Sequence, residues 1–536
     1  MDADQEVSGR PAHLTVIENL LSAIKTSDID TVKGMADEYR QNPSLLSDRK
    51  CGSALLAAAR SPTDCVEIVY LLLANMNANV SHKDQNGLQA LHFAAFNNNH
   101  NILSALIQAG AEVDCQDAKT YTPLHYGCVQ GHVDIVKTLL AKGAGACRGR
   151  RMWKESPLHV AAYDGHLEVV LLLLEEGENP NVRADVGDGG TPVHRAVTGG
   201  HIEVLKVLMA AGGNIHKFDS KGQRPVHIAA AQGNVDILQL LIEHGASLNL
   251  IDNVGRTALS HAVCSKNTEA VELLLLHGSD TNVPDKQRMF PLHYAAIENR
   301  PQIVRLLLEH GARVNETNSV RDSTALCMAA SLNFPAVVQE LCAGGADVNK
   351  GDKNKFTPLH KAVSSSEQNK SEVISILLQY GALLDIRDIG EYTPLERCVF
   401  QCVIHNFNIH DLKLLVGAGA PLESQGSRRP SSRQHSSALS WVLWHGHTDA
   451  AAYLVSAGWN LSTEAWIFSV RWNLAQKDIL DMILQYLKEP KGLSFLCRDV
   501  IRSCLMKRRK GREILSAIEQ MPLPGTLKRF LRIEDG

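Results

Sequence analysis

The chain has 536 residues, of which 44% are hydrophobic, 21% charged and 5% aromatic, the balance of a packed globular protein and not of a disordered or fibrous one. A net charge of −4 lacks the basic excess of a dedicated nucleic-acid binder, and no stretch approaches the roughly 18 apolar residues that span a bilayer. Met1–Pro11 is polar and acidic without the order of a signal peptide, and the 12 cysteines lie scattered in apolar segments as reduced core thiols, so the expected setting is the cytoplasm, with the nucleus as a second compartment.

From the start, residues 1–13 are expected to be a flexible lead-in. The segment around Leu20, with Ile29 and Val32, reads as an N-terminal cap, and Ser53-Ala54-Leu55-Leu56 as a weak first copy of a repeated tetrad. The full tetrad then recurs as Gln89-Ala90-Leu91-His92, Thr122-Pro123-Leu124-His125, Ser156-Pro157-Leu158-His159 and Thr191-Pro192-Val193-His194. It continues through Val226, Leu259, Leu292, Leu326, Leu359 and Leu395, with spacings of 33, 34, 35, 33, 33, 33, 34, 33 and 36 residues. Thr or Ser caps a helix, Pro enters at its first position with φ already set, and Leu turns into the core. A Gly such as Gly131, Gly165 or Gly200 ends that helix and lets a second begin, for example Leu167-Glu168-Val169-Val170-Leu171-Leu172-Leu173-Leu174. With closures such as Gly345-Ala346-Asp347-Val348-Asn349, these units resemble the ankyrin repeat. The resemblance implies an all-α solenoid of helix pairs joined by hairpin fingers, about 12–13 repeats over residues 14–458, with an inserted Ser/Arg-rich loop at 423–437.

Residues that invite a chemical reading are accounted for by the repeat. The tetrad histidines 92, 125, 159, 194, 227, 293 and 360 form a column of helix-start struts and not a convergent site. Cys398, Cys402, His405 and His410 have the spacing C-x3-C-x2-H-x4-H, unlike a usual zinc finger, and are expected to be packing residues. No phosphate loop or nucleophile elbow occurs in its required context, so a non-catalytic protein without metal or cofactor is expected. Binding should fall to residues that vary between repeats: the pre-tetrad column with Tyr121, Arg256, Met289, Phe356 and Tyr392, and the unusual finger with Arg150, Arg151 and Trp153.

After Gly458 the pattern changes. Trp459, Trp466 and Trp472 mark a capping or linker segment over residues 459–490, which gives way to a basic unit at 491–536. There Leu493, Leu496, Cys497, Val500, Ile501, Cys504 and Leu505 fall on one face of a helix, and Pro522 and Pro524 stop the one after it. This unit resembles a suppressor-of-cytokine-signalling (SOCS) box, and the whole chain is similar to the ankyrin-repeat and SOCS-box family. The resemblance implies that Leu493, Leu496, Cys497 and Ile501 insert into elongin C, which binds elongin B. It also implies that Pro522, Leu523 and Pro524 contact a cullin of the SOCS-box-binding type with its RING subunit. The family's function would make the chain a substrate receptor of a ubiquitin ligase, with an unidentified protein as substrate and neither nucleic acid nor membrane as partner. A ligase-independent scaffold is the alternative. Two positions depart from the family: Gly492 stands where a Ser, Thr or Pro is usual, and Met521 replaces a Leu.

Overall fold

The computed structural model describes residues 12–43, 47–61, 65–145, 155–185, 188–365, 368–400, 407–422, 437–445 and 447–459. The expected linker beyond Trp459, the SOCS-box unit and the inserted loop up to residue 436 lie outside these. Among the described residues the secondary structure is helical, with no strand, and runs from Ala12–Thr26 to Thr448–Ser456 in antiparallel pairs. The chain divides between Asn253 and Val254 into two compact units, each a stack of such pairs.

One pair shows how the sequence builds the rest. Ser156 accepts the His159 backbone N–H at 3.4 Å, Pro157 occupies the first turn, and the helix Pro157–Asp164 stops at Gly165, whose φ of 82° is left-handed. Gly165 also has no room for a side chain, because a Cβ there would lie 2.4 Å from the His201 ring. The next helix, Leu167–Glu175, then turns back, and Leu158, Ala161, Val169, Val170 and Leu173 are fully buried between neighbouring pairs. Each of these Leu and Val side chains contributes about 1.5–3 kcal/mol by leaving water.

The fingers between pairs are hairpin-like turns tied tip to tip by single backbone bonds. In the N-terminal unit these run from Ala118 N to Asn86 O and from Asn253 N to Lys221 O, each 2.9 Å. In the C-terminal unit they run from Lys286 N to Val254 O, 3.0 Å, and from Ser319 N to Gln287 O and Lys353 N to Arg321 O, each 2.9 Å.

The N-terminal unit opens on Ala12–Thr26 and Ile29–Gln41, with Asp28 accepting Thr31 N at 3.1 Å, and with Leu20, Ile24, Val32 and Ala36 buried. The weak copy at Ser53 differs from the others. Its helix begins six residues before Ala54, the position where the other repeats begin theirs, and runs as Asp48–Arg60. In the C-terminal unit the last described pair, Ala438–Trp444 and Thr448–Ser456, is followed by Trp459, only 1% exposed.

Candidate protein-binding surface

Four finger turns are each organised by one acidic side chain that reaches both ways. Asp117 Oδ1 accepts the N–H groups of Lys119 and Tyr121, both at 2.8 Å, while its Oδ2 accepts the Tyr126 hydroxyl at 2.8 Å. In the C-terminal unit Asp285 holds Gln287 N and Met289 N with one oxygen and the Tyr294 hydroxyl with the other. Asp352 takes Asn354 N and Phe356 N, and its second oxygen pairs with Lys361 Nζ at 2.6 Å. Asp388 takes Gly390 N and Tyr392 N, and its second oxygen pairs with Arg397. In all four the partner of the second oxygen is the residue just after the tetrad, so the carboxylate locks the turn to the helix start. Sequence reasoning missed this role; the signal was an Asp four residues before the pre-tetrad residue.

That lock sets the surroundings of the pre-tetrad column. Tyr121 stacks on His125, with ring centres 5.0 Å apart and planes within 10°, and its hydroxyl donates to Glu155 at 3.1 Å. Burial, with the Glu155 charge adding to it, pushes the Tyr121 phenol up to about 12. Glu155 in turn pairs with Arg195, which also holds Asp188 at 3.0 Å. Arg256 lies 4.8 Å over the Tyr294 ring and donates to its hydroxyl oxygen at 3.0 Å. Arg397 sits between two column members, 4.9 Å from Phe356 and 4.7 Å from Tyr392. Such cation–π contacts contribute about 0.5–2 kcal/mol each. Tyr121, Arg256, Phe356 and Tyr392 are half-buried, whereas Met289 is 8% exposed. Arg150, Arg151 and Trp153 lie outside the described residues.

One further exposed aromatic was not singled out from sequence. Phe218, 50% exposed, carries Arg183 at 5.4 Å and Arg224 at 5.9 Å over its ring. It precedes the finger Asp219, where other repeats have Gln116, Ile251, Thr317 or Gly351. An aromatic in that otherwise variable column was the available signal.

The tetrad histidines are struts. His125 Nδ1 accepts Thr122 N at 3.1 Å and its Nε2 donates to Glu155 O at 2.9 Å; His159 joins Ser156 N to Gly190 O, and His293 joins Phe290 N to Ser323 O, in the same way. Burial holds all three rings neutral, with pKa values pushed down to about 4. Of the cysteine and histidine group near residue 400, Cys398 is buried in the helix Pro394–Phe400, and Cys402 and His405 lie outside the described residues. Among the described residues no cluster of His, Cys, Asp and Glu has the geometry to hold a metal, and no helix is long and apolar enough to cross a membrane.

Matching to family models agrees with the repeat architecture. A family model described as ankyrin repeats matches residues 55–148, 158–252, 226–318 and 292–388, and one described as the SOCS box matches residues 489–532. Among curated proteins, the ankyrin and IPT/TIG repeat-containing protein of Schizosaccharomyces pombe is 32% identical over 118 residues, covering 22% of this chain and 10% of that protein. Protein phosphatase 1 regulatory subunit 27 of Homo sapiens is 38% identical over 58 residues, 11% of this chain and 38% of its own length. These matches thus span well under half of either relative. Among solved structures, the crystal structure of the human ASB11 ankyrin repeat domain is 29% identical, with a TM-score of 0.38 covering 42% of this chain and 98% of that one.

Proposed function

Because this chain belongs to the ankyrin-repeat family and carries a SOCS box, we propose that it is the substrate-recognition subunit of an elongin–cullin–RING ubiquitin ligase. The observation that carries the reading is the pairing of the two modules: the SOCS-box match at 489–532 comes after a repeat array built to hold another protein. In this reading Leu493, Leu496, Cys497 and Ile501 present the apolar face that enters elongin C, and Pro522, Leu523 and Pro524 meet the cullin. The repeats hold the target through half-exposed, pre-ordered side chains such as Tyr121, Arg256, Phe356 and Tyr392, together with the finger that carries Arg150, Arg151 and Trp153.

The chain contributes no reacting group of its own. It raises the effective concentration of target lysines near a charged conjugating enzyme, and proximity supplies the acceleration. Burying one Leu is worth about 1.5–3 kcal/mol, so Leu493→Ala should weaken elongin capture by roughly tenfold or more. The test is co-purification of elongins B and C with the Leu493→Ala/Cys497→Ala variant. Loss of both elongins is expected, and capture at the wild-type level overturns the assignment of these anchors.

A further inference from the structure

In the N-terminal unit, the helices Ala12–Thr26, Asp48–Arg60 and Ala90–Phe96 and the finger at residues 82–86 enclose a groove of about 880 Å³. Its floor is apolar, with Leu21, Leu56 and Phe93, and its rim carries four cations: Lys25, Arg49, Arg60 and Lys83. All four side chains are exposed. Elsewhere in the molecule some cations near the fingers are matched with carboxylates, as in Arg195 with Glu155, Lys361 with Asp352 and Arg397 with Asp388, while Lys350 and Lys353 donate to the Asn315 and Val320 carbonyls. Here, among the described residues, none of the four is ion-paired. Arg60 lies 5.5 Å over the Phe93 ring, and Lys83 reaches only the Gln116 carbonyl at 3.4 Å. The one carboxylate on the lining, Asp84, uses Oδ1 to hold Asn86 N and Leu88 N, both at 2.8 Å, and so builds its own turn. The finger is brought in by Gly52, where a Cβ would lie 2.4 Å from His82 Cγ, and His82 Nε2 sits 3.3 Å from Ser53 Oγ.

Four like charges gathered around an apolar trough repel one another and raise the local concentration of anions. An extended polypeptide alternates its side chains between two faces. A segment in which apolar residues alternate with Asp or Glu would lay the first set on the floor and turn the carboxylates to the rim. Nucleic acid fits less well: the floor offers a single aromatic ring, already covered by Arg60, and the whole chain carries a net charge of −4. We infer that this groove is a docking site for an extended acidic segment of a partner protein. The inference rests on the reading of the repeats as a target-binding surface, and it is independent of SOCS-box docking.

The test uses the full chain and a short fluorescein-labelled peptide alternating Glu and Leu, with a Gln-for-Glu counterpart, monitored by fluorescence anisotropy. Arg49→Glu/Arg60→Glu should weaken binding of the Glu peptide by at least about tenfold, while the charge-matched Lys137→Glu/Lys142→Glu, at exposed sites away from the groove, should stay within about twofold. Arg49→Gln/Lys83→Gln removes charge without reversing it and should also weaken binding, so the proposal does not depend on one variant folding. Equal loss in the groove and control variants, or equal affinity for the Gln peptide, overturns the proposal. A single-stranded oligonucleotide that binds more tightly than the peptide and is lost in the same variants also overturns it, in favour of nucleic acid. Elongin co-purification, run in parallel, separates the two readings. Elongin capture retained with no peptide binding sinks the groove alone, whereas peptide binding without elongin capture sinks the ligase reading alone.

Discussion

Glu178 is a carboxylate in a column of small residues. The equivalent position holds Ala111, Ala144, Gly213, Ala246, Ser279, Ala312, Ala346 and Ala382 in other repeats, which leaves little space or polarity for an acid. Glu178 is 6% exposed and neither carboxyl oxygen has a hydrogen-bond partner, so burial alone pushes its pKa from 4.5 up to about 7. Between pH 4.5 and 7 the folded protein therefore holds a proton that the unfolded chain gives up, and stability falls as pH rises through that window. At about 1.4 kcal/mol per pKa unit, Glu178→Ala should raise the unfolding free energy by about 1–3 kcal/mol at pH 8. Near pH 4.5 that gain should vanish. Denaturant midpoints measured at both pH values check this, and a gain of the same size at both would show that the charge is not its cause. Ser279, in the same column, has a buried hydroxyl oxygen without a partner, and Ser279→Ala should be stabilising by up to about 1 kcal/mol at either pH.

At the scale of the helix pair, the tetrad histidines push the other way. The unfolded rings take up protons near pH 6.5, whereas His125, His159 and His293 resist until about pH 4. The unfolded chain thus binds more protons in that window, and stability is full above pH 6.5 and lost as pH falls toward 4. Three such rings outweigh Glu178, so acidification from pH 7 to 5 should lower the unfolding midpoint, and His159→Gln should flatten that dependence while costing stability at pH 7. His159→Ala removes a strut outright and strands Ser156 N–H and Gly190 C=O, each worth about 1–3 kcal/mol when buried and unpaired. These struts were legible in the sequence because cap, Pro, Leu and His fall at fixed offsets within one turn. The finger acids were not. One oxygen of Asp352 serves its own turn, which spacing can reveal, but the other reaches Lys361, nine residues on, and only the fold of finger against helix brings the two together. The early start of Asp48–Arg60 also escaped: Leu56 stands at the tetrad His position, so the ring that ties the helix start to its cap in repeats such as Gln89–His92 is missing there.

For the molecule as a whole, a repeat period is legible from one dimension, but a groove is not: Lys25, Arg49, Arg60 and Lys83 come from three successive units, at positions that share no motif. Charge is likewise divided along the chain. From Lys491 onward 11 Lys and Arg face 5 Asp and Glu, although the net charge is −4 overall, so the SOCS-box segment is basic and the rest acidic. Because each repeat contacts chiefly its neighbours, removing a distant segment should not propagate into the N-terminal unit. Deleting Lys491–Gly536 is therefore expected to abolish elongin capture while leaving acidic-peptide affinity within about twofold of the full chain. In cells the truncated chain should hold its targets without shortening their lifetimes, so proteins that accumulate with it and decay faster with the full chain are substrates. Pull-down combined with measurement of protein decay after translation is blocked reads both effects. Unchanged lifetimes with either form, alongside retained binding, would assign the chain to the ligase-independent scaffolds.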